Sequence, residues 1–132
     1  SLVGSEMCIR DRVYDYRNIE VTIDEQGVFK VTMNESLAVA LLTNLLKNAF
    51  VHNIDGGHIR ITVTKNGITF RNSGVEHPLN KEHIFERFYQ GSKKEGSTGL
   101  GLAIADSICR LQHLNIKYYF EQNEHCFEIS QS

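Results

Sequence analysis

The stretch LLTNLLKNAFVH, residues 41–52, carries two patterns at one spacing. Leu41, Leu42, Leu45, Leu46, Ala49 and Phe50 recur at the i, i+3, i+4 intervals of one helical face, so the stretch reads as an α-helix packed on a core. Asn44, Asn48 and His52 recur every fourth residue and share a second face. The apolar period reaches back to Leu37 and forward to about Asn53, with Asn34 or Ser36 as the cap and Asp55-Gly56-Gly57 as the stop.

On both sides of this helix the period falls to that of a strand. Upstream, Val21 and Ile23 alternate with polar residues, Asp24 to Gly27 reads as a turn, and Phe29, Val31 and Met33 alternate again, which predicts a hairpin. Downstream, Ile59, Ile61 and Val63 form a strand. Asn66-Gly67 is a two-residue hairpin signal, and Ile68 to Arg71 is the returning strand. Ser73 to Thr98 is polar and holds the one proline, Pro78, with a glycine- and charge-rich run from Gly91 to Ser97. A connection of this length is usually functional or mobile. Inside it Ile84, Phe85, Phe88 and Tyr89 predict one short packed turn. A second amphipathic helix follows from about Gly99 to Gln112, with Ile104, Ile108 and Leu111 inward. A last hairpin pairs Ile116 to Glu121 with Cys126 to Ile129. The order predicts an α+β two-layer sandwich, with helices on one face of a mixed, mostly antiparallel sheet.

Bulk properties narrow the partners. The chain of 132 residues suits one domain, and 41% hydrophobic residues suffice for a core. A formal net charge of -2 gives no electrostatic reason to expect nucleic acid or an anionic membrane. No apolar run has the length of a membrane span, and no signal peptide is evident. The three cysteines, Cys8, Cys109 and Cys126, have neither CxxC nor metal spacing, which fits inert thiols in a reducing compartment. Ser1 to Arg12 lacks either periodicity, and SLVGSEMCIRD resembles translated sequencing-adapter read-through. The expected division is therefore 1–15 as an artefactual or disordered segment and 16–132 as a domain cut from a longer protein.

Taken singly, the polar motifs have plain explanations. Asn44, Asn48 and His52 are solvent-facing or capped side chains, or else amide ligands for a hard cation carrying phosphates. Gly96 to Leu102 is a turn and cap, or else a glycine-loosened helix start whose N–H groups meet phosphate. Neither a P-loop lysine nor a preceding strand accompanies it. Asn72-Ser73-Gly74 is a turn after a strand, or a place where the Asn72 amide oxygen accepts from an exocyclic amine. Arg87, Lys93 and Lys94 are a solvated charge run, or cations that close on phosphate.

Their order along the chain is more specific. Asn44-Leu-Leu-Lys-Asn48-Ala resembles the N box of the sensor histidine kinases of two-component systems. Asn72-Ser-Gly74 is similar to their G1 box, Ile84-Phe85-Glu86-Arg87-Phe88-Tyr89 to the F box, and Gly96 to Ala103 to the G2 box. The likeness covers roughly Ile19 to Ile129 and points to the catalytic ATP-binding domain within the GHKL superfamily, of Bergerat fold. It implies Asn48 as Mg²⁺ ligand with Asn44 beside the phosphates, and His52 among the ATP-binding residues. It implies Asn72 at the adenine amine and Gly74 giving the ring room. Ser73 to Ser97 would be the ATP lid, packed down by Phe85 and Phe88. Thr98, Gly99, Leu100, Gly101 and Leu102 would form the phosphate-binding helix start.

Four departures accompany the likeness. Asn72 replaces the usual aspartate, Glu76 a second glycine, Val51 a common cation and Gln90 a frequent arginine. Charge compensation then falls to Arg87 or Lys93. The resemblance implies phosphoryl transfer from Mg-ATP to a histidine on an upstream dimerisation domain, a response-regulator receiver as later partner, and a homodimeric full-length protein with this domain in the cytoplasm and a possible inner-membrane anchor. None of the six histidines stands beside an acidic residue on a long helix as such an acceptor would, so no catalytic residue is expected within the fragment. Gyrase- and chaperone-type relatives carry a general-base glutamate where this chain has Asn44, which cannot take a proton from water. A serine kinase of the same fold and a degenerate interaction module are the alternatives.

Overall fold

The structure, a computed structural model, describes residues 18–86 and 100–131. It contains β1 (Glu20–Glu25), α1 (Glu35–Val51), β2 (His58–Thr64), β3 (Gly67–Asn72), α2 (Gly101–Leu111), β4 (Leu114–Glu121) and β5 (Glu124–Gln131). The strands form one open sheet in the order β1-β2-β3-β5-β4, antiparallel except for the β1–β2 pair. Among the described residues no helix is long and apolar enough to cross a membrane.

The predicted first hairpin does not form. Val21 and Ile23 lie in β1, but β1 pairs in parallel with β2, matching Val21 to Ile59 and Ile23 to Ile61. A parallel pair needs a crossover, and here α1 supplies it. Phe29, Val31 and Met33 run in extended chain along the core instead of in a ladder, with Phe29 buried and the other two half-buried against it. Alternate side chains of any extended segment point opposite ways, so period 2 reports conformation and not pairing.

The first helix follows its pattern. Asn34 is the cap, its Oδ1 accepting from Ser36 N at 2.8 Å. Leu41, Leu42, Leu45, Leu46, Ala49 and Phe50 are all buried. The second helix packs on α1 and β4, but its inward face is not the predicted one. Ile108 is buried, whereas Ile104 is 43% and Leu111 68% exposed. Ala105 and Cys109, one turn apart, take the inner position at no exposure. Small side chains at the contact let the two helices approach closely, and the bulkier isoleucine and leucine turn to the flank.

The two hairpins form, for unlike reasons. In β2–β3 the flanking pair is Thr64 and Gly67, so the loop is Lys65-Asn66, one residue earlier than the Asn-Gly signal suggests. Gly67 lies beneath the Ile129 carbonyl, where a Cβ would collide. In β4–β5 the loop residues Gln122 and Asn123 have φ of 52° and 64°, a mirror-image turn whose twist suits the flanking strands. Ile59, Ile61, Ile68, Phe70, Phe127, Ile129 and Tyr118 face the helices, while the other sheet face is polar. There Glu124 receives His58 Nε2 at 2.7 Å and Arg60 at 3.2 Å, and Lys117 meets Glu128 at 3.2 Å. The Lys117–Glu128 pair lies at the surface and adds at most about 1 kcal/mol.

Cys109 and Cys126 are buried and free. Burial pushes the Cys109 thiol up to about 12, and burial raises Cys126 as well. Aromatic disulfide reagents at pH 8 should modify these two cysteines only after denaturant is added, as located by mass spectrometry. Rapid native labelling of Cys109 would contradict its placement at the helix interface.

Candidate nucleotide-binding site

The polar face of α1 meets the start of α2. Asn44 Nδ2 donates back to the Ala40 carbonyl at 2.7 Å, which fixes the carboxamide. A Cβ on Gly101 would stand 3.2 Å from Asn44 Oδ1, so the two segments adjoin and the glycine makes room for the asparagine. Asn48 lies one turn further on, half-buried. His52 is the C-cap residue, its N–H donating to the Asn48 carbonyl at 3.1 Å. At α2, Leu100 occupies the cap position without a side-chain cap, and the first turn carries no acidic residue. The positive end of a helix dipole with no carboxylate in its first turn favours an approaching anion. Leu102 is half-buried against the core and holds this turn down.

Asn72 ends β3 with 2% exposure. Its Nδ2 donates to the Ser73 carbonyl at 2.8 Å. A carbonyl can only accept, so the amide orientation is settled and Oδ1 is the other atom. Among the described residues that oxygen is buried with no hydrogen-bond partner. A buried acceptor left unpaired costs roughly 1–3 kcal/mol, which a ligand N–H donor would recover. Such an acceptor suits a ligand that brings an N–H donor.

The strand end is held by a residue the sequence reading did not single out. Asn53 is completely buried just past α1. Its Nδ2 donates to the carbonyls of Ala49 at 3.1 Å and His58 at 3.0 Å. Its Oδ1 accepts from Ile54 N at 2.9 Å and from Ser73 Oγ at 2.6 Å. Ser73 Oγ in turn accepts from His58 N at 2.9 Å. Gly57 closes the group, since any Cβ there would collide with both Asn53 Oδ1 and Ser73 Oγ. The helix with Asn44 and Asn48 is thereby bound to the strand end with Asn72.

Gly74 has a packing reason to be glycine. A Cβ would lie 2.9 Å from the His52 carbonyl oxygen and 3.1 Å from His125 Cδ2. His125, buried on β5, meets Tyr118 Oη through Nδ1 and the Val75 carbonyl through Nε2, both at 2.7 Å. Further on, Ile84 is buried and Phe85 sets its edge against Phe127 with centroids 6.2 Å apart, so the predicted packed turn forms over its described part. His83 contacts Glu86 at 2.7 Å, and that hydrogen bond raises its pKa. Arg87, Phe88, Lys93, Thr98 and Gly99 lie outside the described residues, as does the segment 1–15.

The sequence matches the family described as histidine kinase-, DNA gyrase B- and HSP90-like ATPases over residues 33–130, and the chain belongs to that family. Similar proteins include a sensor histidine kinase and a heme sensor protein. The sensor histidine kinase RppB of Synechocystis sp. is 44% identical over 84 residues, covering 57% of this chain and 18% of RppB. The heme sensor protein HssS of Staphylococcus aureus is 40% identical over 90 residues, covering 64% of this chain and 20% of HssS. The chain thus spans about a fifth of the length of these relatives. The catalytic domain of histidine kinase ThkA superposes with a TM-score of 0.75 at 26% identity, covering 97% of this chain and 84% of that one. ThkA in complex with the response regulator TrrA gives 0.67 at the same identity, covering 99% of this chain and 38% of that one. The fold is the open mixed sheet of histidine kinase catalytic domains.

Gly57→Ala should lower stability by about 1–3 kcal/mol, because the added methyl overpacks the Asn53–Ser73 contact. The chemical-denaturation midpoint reads this, and an unshifted midpoint would show that the contact yields freely.

Proposed function

We propose that the domain binds Mg-ATP and donates the γ-phosphoryl group to a histidine on a helical dimerisation domain upstream, from which a response-regulator receiver takes it. The unpartnered Asn72 oxygen at the end of β3 carries the adenine half of this reading. The juxtaposition of Asn44 with Gly101 supports the phosphate half, and the likeness to sensor kinases supports the acceptor class. The ThkA–TrrA complex supports a receiver as partner. The intact protein is read as a homodimer.

Each side chain has a task within this reading. Asn72 accepts from the adenine amine, and the Asn53–Ser73 link keeps that acceptor in register with α1. The α2 start, with Leu100, Gly101 and Leu102, offers dipole and backbone N–H groups to phosphate oxygens. Asn48 supplies an amide oxygen of the kind a hard cation prefers, with Asn44 beside it. Among the described residues no three His, Cys, Asp or Glu side chains form a metal site, so Mg²⁺ would depend on amide and phosphate oxygens. When bound, Mg²⁺ neutralises charge on the transferring phosphoryl group. In the transfer the γ-phosphorus gains a bond to the acceptor nitrogen and loses its bond to the bridging oxygen, which departs on ADP. Asn44 cannot deprotonate water, so the γ-phosphoryl is kept for the protein acceptor.

Calorimetric titration of the 132-residue chain with a non-hydrolysable ATP analogue should show saturable binding in magnesium buffer. Chelation should weaken it roughly tenfold or more, and Asn48→Ala should abolish that magnesium dependence. Absence of binding would end the kinase reading. Stoichiometric phosphohistidine on the isolated fragment would instead overturn the external acceptor.

Arg87 and Lys93 are proposed to replace the cations missing at Val51 and Gln90. Arg87→Gln or Lys93→Gln should raise the analogue's Kd by about tenfold, the scale of one lost charge-assisted contact. Unchanged Kd and unchanged transfer to a supplied dimerisation domain in both variants would remove them from the site.

A further inference from the structure

His125 contacts two points on the segment that leaves the candidate adenine site. Its Nε2 faces the Val75 carbonyl, and a carbonyl accepts only, so Nε2 carries the proton. Tyr118 Oη accepts from the Leu79 backbone N–H at 3.0 Å, so the hydroxyl proton is directed to His125 Nδ1 at 2.7 Å. The chain of bonds has one direction: Leu79 N–H to Tyr118, Tyr118 O–H to Nδ1, and Nε2–H to Val75. It requires a neutral imidazole in one tautomer. The same ring packs against Gly74, two residues beyond Asn72, and Asn72 itself pairs with His125 across the β3–β5 ladder.

We propose that His125 is a positioning residue for nucleotide binding, fixing residues 75–79 through Val75 and Tyr118 and thereby setting how the chain leaves Asn72 and Gly74. The inference rests on the nucleotide reading of that site. It makes affinity sensitive to acid. A proton on Nδ1 turns an acceptor into a donor. The bond between Tyr118 and Nδ1 then has to reverse, which breaks the one-way chain from Leu79 to Val75.

The surroundings agree with a neutral ring. Burial lowers the His125 pKa from 6.5, against the raising effect of the Val75 carbonyl, and His77 on the same segment adds to the lowering. Phe120 and Tyr118 cover the ring from β4. Glu124, next in chain, is engaged by His58 and Arg60. With a depressed native pKa, the unfolded chain binds the proton first as pH falls. The contribution is therefore complete above about 6.5, the unfolded value, and is lost as pH drops through the lower native one.

The test uses the 132-residue chain. Imidazole ¹H–¹⁵N spectra without nucleotide should show the Nε2–H tautomer of His125 and a titration midpoint below 6.5. The other tautomer, or a midpoint at or above that value, overturns the proposal. Kd for a non-hydrolysable ATP analogue is then measured against pH. Tyr118→Phe should weaken binding roughly tenfold at pH 8, at a temperature where the variant is folded. His125→Gln keeps an amide donor toward Val75 but cannot titrate. Relative to its own Kd at pH 8, it should lack the extra acid-side loss of the wild type, since the nucleotide's own titration is common to both. A folded Tyr118→Phe with wild-type Kd, or identical acid profiles for wild type and His125→Gln, overturns the inference alone. A wild type that binds no nucleotide overturns the reading beneath it as well. If Tyr118→Phe fails to fold, the tautomer and the paired pH profiles decide.

Discussion

The site depends on a single buried carboxamide. Asn53 uses both its donor and its acceptor ends to join the C-terminus of α1, the turn that follows it, and Ser73 at the end of β3. To apolar packing, which is non-directional, it adds a directional link between the helix that bears Asn44 and Asn48 and the strand end that bears Asn72. A hydrogen-bonded link of fixed geometry is what a ligand spanning base and phosphates needs, because small displacements at either end lose productive contacts. Gly57 is the cost of that link, since the space a side chain would occupy is taken by the contact itself.

A second constraint acts at the other end of the site. The inner face of α2 is Ala105, Ile108 and Cys109, and the helix packs on α1. At its start Gly101 adjoins Asn44. Fold and proposed site therefore share a cause: the helix contact that closes the core also brings together the two segments that the proposed reading gives to phosphate. The exposed Ile104 and Leu111 are the residue of that choice.

Much of this was legible in the sequence where the signal is local. The leucine period of α1, its Asn34 cap and the closing hairpin can each be read within a few residues. What escaped depends on partners distant in the chain. Alternation at Phe29 to Met33 could not say whether the neighbour was a strand or the core. The apolar spacing of α2 could not reveal that close helix approach favours Ala105 and Cys109 over Ile104 and Leu111. Gly67 looked like turn chemistry, yet Ile129 explains it. Asn53 marks only the approximate end of a helix in the sequence, and nothing local distinguishes His125. Their hydrogen bonds reach Ser73 and Val75, which are near only after folding.

The sheet order places β3 beside β5, so the whole connection from Asn72 to Gly101 is a loop closed by strand pairing and by α2 docking on α1. Ile84 and Phe85 anchor it in the core part-way along. Inserting one residue between Asn72 and Val75 would break the bonds at Ser73 and at the His125 ring together. The chain's exit from β3 is thus gauged to a set number of residues by two side chains, one on either side of the sheet's third strand in sequence.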